Sequence, residues 1–244
     1  MKLIFLSMLA ALTLAGKAQP YLTPSNIVFD KTLVNSTSYE MNWYMIKDSL
    51  PKQIGRVTTQ ILKEADKLTV VTEVNLANMK TPWIDSSVAR LENLQPVWHA
   101  SRNMQREMVL HFGKVVTGYY RDLMNKTNVI IRDTTHSDYF DSNLYPVLIG
   151  WLPLQEGYTQ DLRIYDYNPA AKMGVISASI KKVSSGSYQS EKNGLRKVWV
   201  VTVTDEIGSG ANGESTYYFD KTDRRLWKQE INVNGRKMTM QLAE

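Results

Sequence analysis

The chain has 244 residues, a formal charge of +5 and no cysteine. Lacking thiols, it carries no disulfide, no thiolate metal site and no lipid-attachment cysteine of the kind that follows a lipoprotein signal. Its basic residues are scattered, and pairs such as Lys181-Lys182 and Arg224-Arg225 read as solvated strand ends, so the charge implies no nucleic-acid partner.

The N-terminus, "MKLIFLSMLAALTLAGKAQP", has a basic start at Lys2, an apolar stretch from Leu3 to Leu14, and small residues Gly16 and Ala18 spaced for cleavage before Gln19. This predicts a signal peptide over residues 1–18. The apolar stretch is short of the ~20 residues a membrane helix needs, and no later segment supplies one. The expected product is periplasmic or secreted and does not span a membrane after cleavage. Residues 19–244 are expected to form a single β-rich domain, with two strand-rich halves joined by a helix at about 143–152. A chain of that length buries roughly 70% of its unfolded surface, sufficient without disulfides.

From residue 39 onward the dominant period is two. Tyr39, Met41, Trp43 and Met45 alternate with polar neighbours; Met108, Leu110 and Phe112 do the same, as do Met238, Met240 and Leu242. That is the pattern of antiparallel strands with one packed and one wet face. Fourteen strands are predicted, over 39–46, 53–63, 67–75, 83–91, 96–102, 105–112, 114–121, 127–133, 158–167, 173–183, 195–204, 215–220, 225–233 and 236–242. "VWVVTV" (198–203) is apolar on both faces and predicts a central, doubly covered strand. Asn234-Gly235 predicts a tight hairpin, because a type I′ turn needs positive φ at both central residues. Asn193-Gly194 and Asn212-Gly213 mark further turns, while "KKVSSGSYQSEKNG" and "DEIGSGANGES" read as exposed hairpin loops.

The period changes once. In "DSNLYPVLIGWLPLQEG", Leu144, Val147, Leu148 and Trp151 stand at helical spacing, with Tyr145, Ile149 and Leu152 beside them. Asn143 is the expected N-cap, Asp141 lies favourably near the dipole, Pro146 fits the first turn, and Pro153 ends the helix. A short helix apolar around most of its circumference must be wrapped. The predicted fold is therefore mainly β: a strongly curved antiparallel sheet, a half-open barrel, around a short central helix acting as a plug.

No catalytic signature is present. His99, His111 and His136 lie in unrelated surroundings without metal-binding spacing, and there is no nucleophile elbow, phosphate loop or dinucleotide fingerprint. "DTTHSD" (133–138) puts hydroxyls, acids and a histidine together, but neighbours on a strand point to opposite faces, and a solvated loop is the reading taken. Carboxylates such as Asp85, Glu92 and Glu107 belong on a wet sheet face whatever the function. The expectation is no enzyme, no metal and no cofactor.

"LPLQEGYTQDLRIYDYN", "VWVVTVTD" and "STYYFDKTDRRLWKQEI", with "VARLENLQPVWHASRN" upstream, resemble an exported bacterial family of unknown function. The matching positions are Leu152, Pro153, Leu154, Gly157, Tyr218, Asp220 and Trp227. The resemblance implies a fold similar to the LolA/LolB lipoprotein carriers, with an apolar cavity between sheet and plug. It carries over no catalytic residue and no carrier-specific arginine motif.

Two functions follow as expectations. In the first, a non-catalytic domain binds a hydrophobic small molecule or lipid in a cavity lined by Trp43, Met45, Met108, Leu110, Phe112, Leu144, Leu148 and Trp151. In the second, the same side chains fill a core and the surface meets other envelope proteins. An outer-membrane barrel is disfavoured by the chain's hydrophilicity and its central apolar helix.

Overall fold

The computed structural model describes residues 20–207 and 213–244. The expected signal peptide lies outside these residues, as do Asn212 and the middle of the "DEIGSGANGES" loop.

One sheet of fifteen strands holds both strand-rich halves. In chain order they are β1 (Thr37–Lys47), β2 (Leu50–Lys63), β3 (Lys67–Leu76), β4 (Trp83–Arg90), β5 (Pro96–Arg102), β6 (Arg106–His111), β7 (Val115–Asp122), β8 (Thr127–Thr134), β9 (Phe140–Asp141), β10 (Gln160–Asp166), β11 (Gly174–Ser190), β12 (Gly194–Asp205), β13 (Gly213–Asp220), β14 (Leu226–Val233) and β15 (Arg236–Leu242). Helix α1 (Tyr145–Trp151) lies between β9 and β10. Each strand pairs antiparallel with its chain neighbour except at two places. β1 pairs with β15, joining the two ends of the strand series, and β8 and β9 are not paired, so the sheet is not closed. β9 is also the exception in direction, running parallel to β10.

The predicted strands match the observed ones closely because one face of each is packed. The expected loop at 181–194 is the main correction: β11 continues to Ser190, paired with β12 throughout, and only residues 191–193 turn. A bulge between Ile180 and Lys182 bends β11 there. β12 is central: Val201 and Val203 are buried on one face, while on the other Val198 is buried and Val200 and Thr202 are only half-buried. The close approach of β6 to β7 requires Gly118, where a Cβ would sit 1.9 Å from the Val109 carbonyl oxygen.

Helix α1 is the plug. Tyr145, Leu148, Ile149, Gly150 and Trp151 are buried in the main core with Leu144, Leu152 and Leu154, facing Ile164, Ile176, Val201, Tyr217 and Phe219. Its packing on β13 is tight enough that a Cβ on Gly150 would lie 3.0 Å from the Phe219 ring. The expected N-cap is corrected: Leu144 holds that position in helical conformation without a side-chain cap bond, because Asn143 and Asp141 are engaged elsewhere.

The seam between β8 and β9 is filled by side chains rather than ladder bonds. Met108, Leu110, Val116, Ile131, Tyr139 and Tyr165 form a second core cluster there, with Phe112 and Tyr120 against it. Tyr165 meets Tyr139 and Phe112 at ring distances of 5.2 and 5.8 Å, and its hydroxyl donates to Asp133 at 3.0 Å. β10 is thus buried on both faces, by Ile164 toward the helix and Tyr165 toward β6–β8. An N-terminal arm, residues 20–36, covers the end of the plug: Leu22 bridges Leu162, the Asp30 amide donates to the Trp151 carbonyl at 3.1 Å, and Val34 is fully buried. Among the described residues, no helix is long and apolar enough to cross a membrane.

Candidate functional site

Between the helix and the concave face of β1, β2, β14 and β15 the packing opens into a cavity of about 890 Å³. It runs along the plug, since Ser142 and Asn143 line it at the helix start and Trp151 at the helix end. Inward-facing Met41, Val57, Ile61, Met240 and Leu242 form an apolar wall. This explains why Met240 and Leu242, expected to be packed, are only half-buried; Met238, half-buried too, lies outside the cavity lining.

The two ends of the cavity differ in charge. At the helix start lies a buried polar knot that ties the plug to both halves of the sheet. Asp141 accepts from His99 Nδ1 at 3.0 Å, Asn143 Nδ2 donates to Ser87 at 2.9 Å, and Ser142 Oγ donates to Asp166 at 2.9 Å. The Tyr145 hydroxyl donates to Asp205. Four bonds from residues 141–145 therefore reach β5, β4, β10 and β12. Burial alone would push the His99 pKa down, but the carboxylates of Asp141, Asp85 and Asp166 outweigh it and hold the ring above its ordinary value. Burial raises Asp166, with Ser142 and Arg106 opposing. Arg106 stacks over Trp83 at 5.2 Å and donates to Ser101 at 3.1 Å, and its charge acts on Asp166.

The knot has a histidine, an aspartate and a serine, but not in relay order. Ser87 Oγ lies 3.3 Å from the same ring nitrogen that meets Asp141. A nucleophile relay needs its hydroxyl and its carboxylate on opposite nitrogens of the ring. The cluster acts as a fastener.

At the other end, the turn between β13 and β14 (residues 221–225) brings Asp223, Arg224 and Arg225 to the cavity. A second fastener holds this turn. Buried Asp220 accepts from Arg196 Nε at 2.9 Å, Trp227 Nε1 at 3.0 Å and the Thr222 amide at 2.8 Å. Burial alone would raise the Asp220 pKa, and these donors bring it below the usual carboxylate value. Asp220 and Trp227, two positions that carry the family resemblance, are thus structural.

Of the eight side chains expected to line a cavity, the structure brings Met108 and Trp151 to it. Leu144 and Leu148 belong to the main core, and Leu110 and Phe112 to the seam cluster. Trp43 is half-buried, and Met45 is exposed. His111 and His136 are exposed; His99 is buried, contrary to the reading of all three as isolated. Sequence reasoning missed His99 because Asp141 is distant in the chain, and it missed Arg224 because the pair Arg224-Arg225 reads as surface charge.

A single unclosed sheet of mostly antiparallel strands, plugged among the described residues by one helix, defines a β-barrel-like domain. Residues 38–241 match the family described as "Protein of unknown function (DUF3108)", and the chain belongs to that family. The fold is similar to the crystal structure of a β-barrel-like protein of the domain of unknown function DUF1849 from Brucella abortus. The likeness has a TM-score of 0.50 at 8% identity and covers 85% of this chain and 95% of that one. No curated protein matches the sequence.

Proposed function

We propose that the protein is an exported, non-catalytic domain of the cell envelope that encloses a hydrophobic ligand, a lipid or acyl chain, between curved sheet and helix. The observation that carries this reading is the cavity of about 890 Å³ along the plug, within the range of ~300–1,000 Å³ typical of small-molecule sites. Its apolar wall suits a methylene chain, and the N-terminal sequence pattern supports export. The half-open sheet, plug and cavity together are the plan expected from the likeness to LolA/LolB-type carriers, although no carrier arginine motif accompanies it. The rival reading, an envelope interaction module with a filled core, is disfavoured by the same cavity. Native mass spectrometry and organic extraction of the purified protein test the proposal. A co-purifying lipid or acyl chain is the expected result, and a consistently empty protein would favour the interaction module.

A further inference from the structure

Arg224 occupies an unusual position. It sits in the tight turn after β13 with φ 61°, a left-handed conformation that glycine and asparagine adopt more readily than arginine. The turn is fixed around it: the Arg224 amide donates to the Asp220 carbonyl at 3.1 Å, and the Asp220 amide donates to the Arg225 carbonyl at 2.8 Å. Arg224 lines the cavity, and its Nε and Nη1 are shut away from solvent without a hydrogen-bond partner among the described residues. Burial pulls its pKa down, with only Asp30 and Asp220 opposing from a distance. Neither carboxylate makes an ion pair with it among the described residues. Asp30 accepts from both the amide and the hydroxyl of Thr32, and Asp220 is committed to Arg196 and Trp227. Arg225 beside it faces Asp223 at 3.8 Å. Arg106, at the other end of the cavity, also has a buried Nε without a partner among the described residues, but its Nη2 donates to Ser101 and its charge acts on Asp166.

A half-buried guanidinium with two unpaired donors gains most from an oxyanion, which guanidinium groups bind through parallel N–H donors once a small side-chain shift turns them to it. The methylene-friendly wall of Met41, Val57 and Met240 lies in the same cavity. We propose that Arg224 is the head-group site for an anionic amphiphile, a single carboxylate or phosphate on an acyl tail, with the tail running along the plug toward its start. This rests on the acyl-chain reading above and names the chemistry at one end of that ligand.

The test is titration calorimetry of the purified protein with dodecanoate, dodecyl phosphate and uncharged dodecanol, repeated on Arg224→Asn. Asparagine suits the left-handed turn, so the variant should melt no lower than the natural protein. A charge-assisted hydrogen bond corresponds to about tenfold or more in affinity. The expected result is that the natural protein binds at least one of the two anions at least about tenfold more tightly than dodecanol, and that in Arg224→Asn this ratio falls to near one. A preference for dodecanoate assigns the site to a fatty acid, and a preference for dodecyl phosphate to a phosphate-ended lipid. Equal binding of dodecanol and both anions, or an anion preference that persists in the variant, overturns the head-group assignment and leaves the acyl-chain reading standing. If none of the three binds, that reading falls, and this inference with it.

Discussion

Replacing Asp141 by asparagine keeps the shape of the knot and removes one charge from it. Asp141 is 2% exposed and His99 5% exposed, so neither group is screened by water. In the folded chain His99 titrates above its ordinary value of 6.5. A group whose pKa is higher folded than unfolded stabilises fully below the unfolded value. Its contribution fades as the pH climbs through the folded one. The pair therefore contributes most below about pH 6.5 and progressively less above it. Breaking a buried pair from one side costs about 3–5 kcal/mol, and the low end applies here because imidazole can shed its proton. As the pH rises through the folded value the ring turns neutral and can still donate to the asparagine oxygen, so the difference shrinks toward about 1 kcal/mol or less. Asp85 and Asp166 are common to both proteins and largely cancel. With a slope of about 3 kcal/mol per molar for a chain of this size, the urea midpoint of Asp141→Asn should fall by about 1 M at pH 5.5. At pH 8.5 the same variant should differ by less than about half that. A gap of equal size at both pH values would refute a charged pair at the knot.

The plug itself is tested by Leu148, which is fully buried: Leu148→Ala should cost about 2–5 kcal/mol by chemical denaturation, and Leu148→Asp should leave the protein unfolded or insoluble. Asp220→Ala removes the acceptor for Arg196 and Trp227 and should cost about 3 kcal/mol. Because Asp220 titrates below its ordinary 3.8, its contribution is present above that pH and fades as the pH falls through the folded value. The gap to the natural protein should accordingly narrow in acid. Gly118→Ala would place a Cβ 1.9 Å from a backbone oxygen that no rotamer can move, so a loss of at least about 3 kcal/mol in a thermal or urea melt is expected.

The strands were legible because a half-buried strand writes its orientation into every second residue, as "REMVLH" does with Met108 and Leu110 inward. The same rule misleads in "WIDSSVAR". There the structure buries Ser87 and Ala89 and leaves Ile84 exposed, because the inward face serves the knot. β9 is two residues long and too short to carry any period. The second half of β11 reads as loop because Ser184, Ser185 and Gly186 have little strand preference, and pairing with β12 overrides it. The helix was legible as apolar spacing, but its cap was not. Asn143 and Asp141 have partners on strands some 40 to 60 residues away, and a local rule sees only the local option. Arg224 would have been suspect from its place in a tight turn, had the turn's conformation been visible in the sequence.

The pairing of β1 with β15 has a consequence for how the molecule comes together. Met45 lies opposite Met238, so the contact spans roughly 190 residues of chain. Closing a loop that long costs about 5 kcal/mol in chain entropy, against about 1 kcal/mol for an adjacent hairpin. The ladder between the first and the last strand in chain order is therefore the last to become favourable. Until then each half has a bare edge where its partner will dock. A polypeptide wired in this way builds its two halves separately and joins them late.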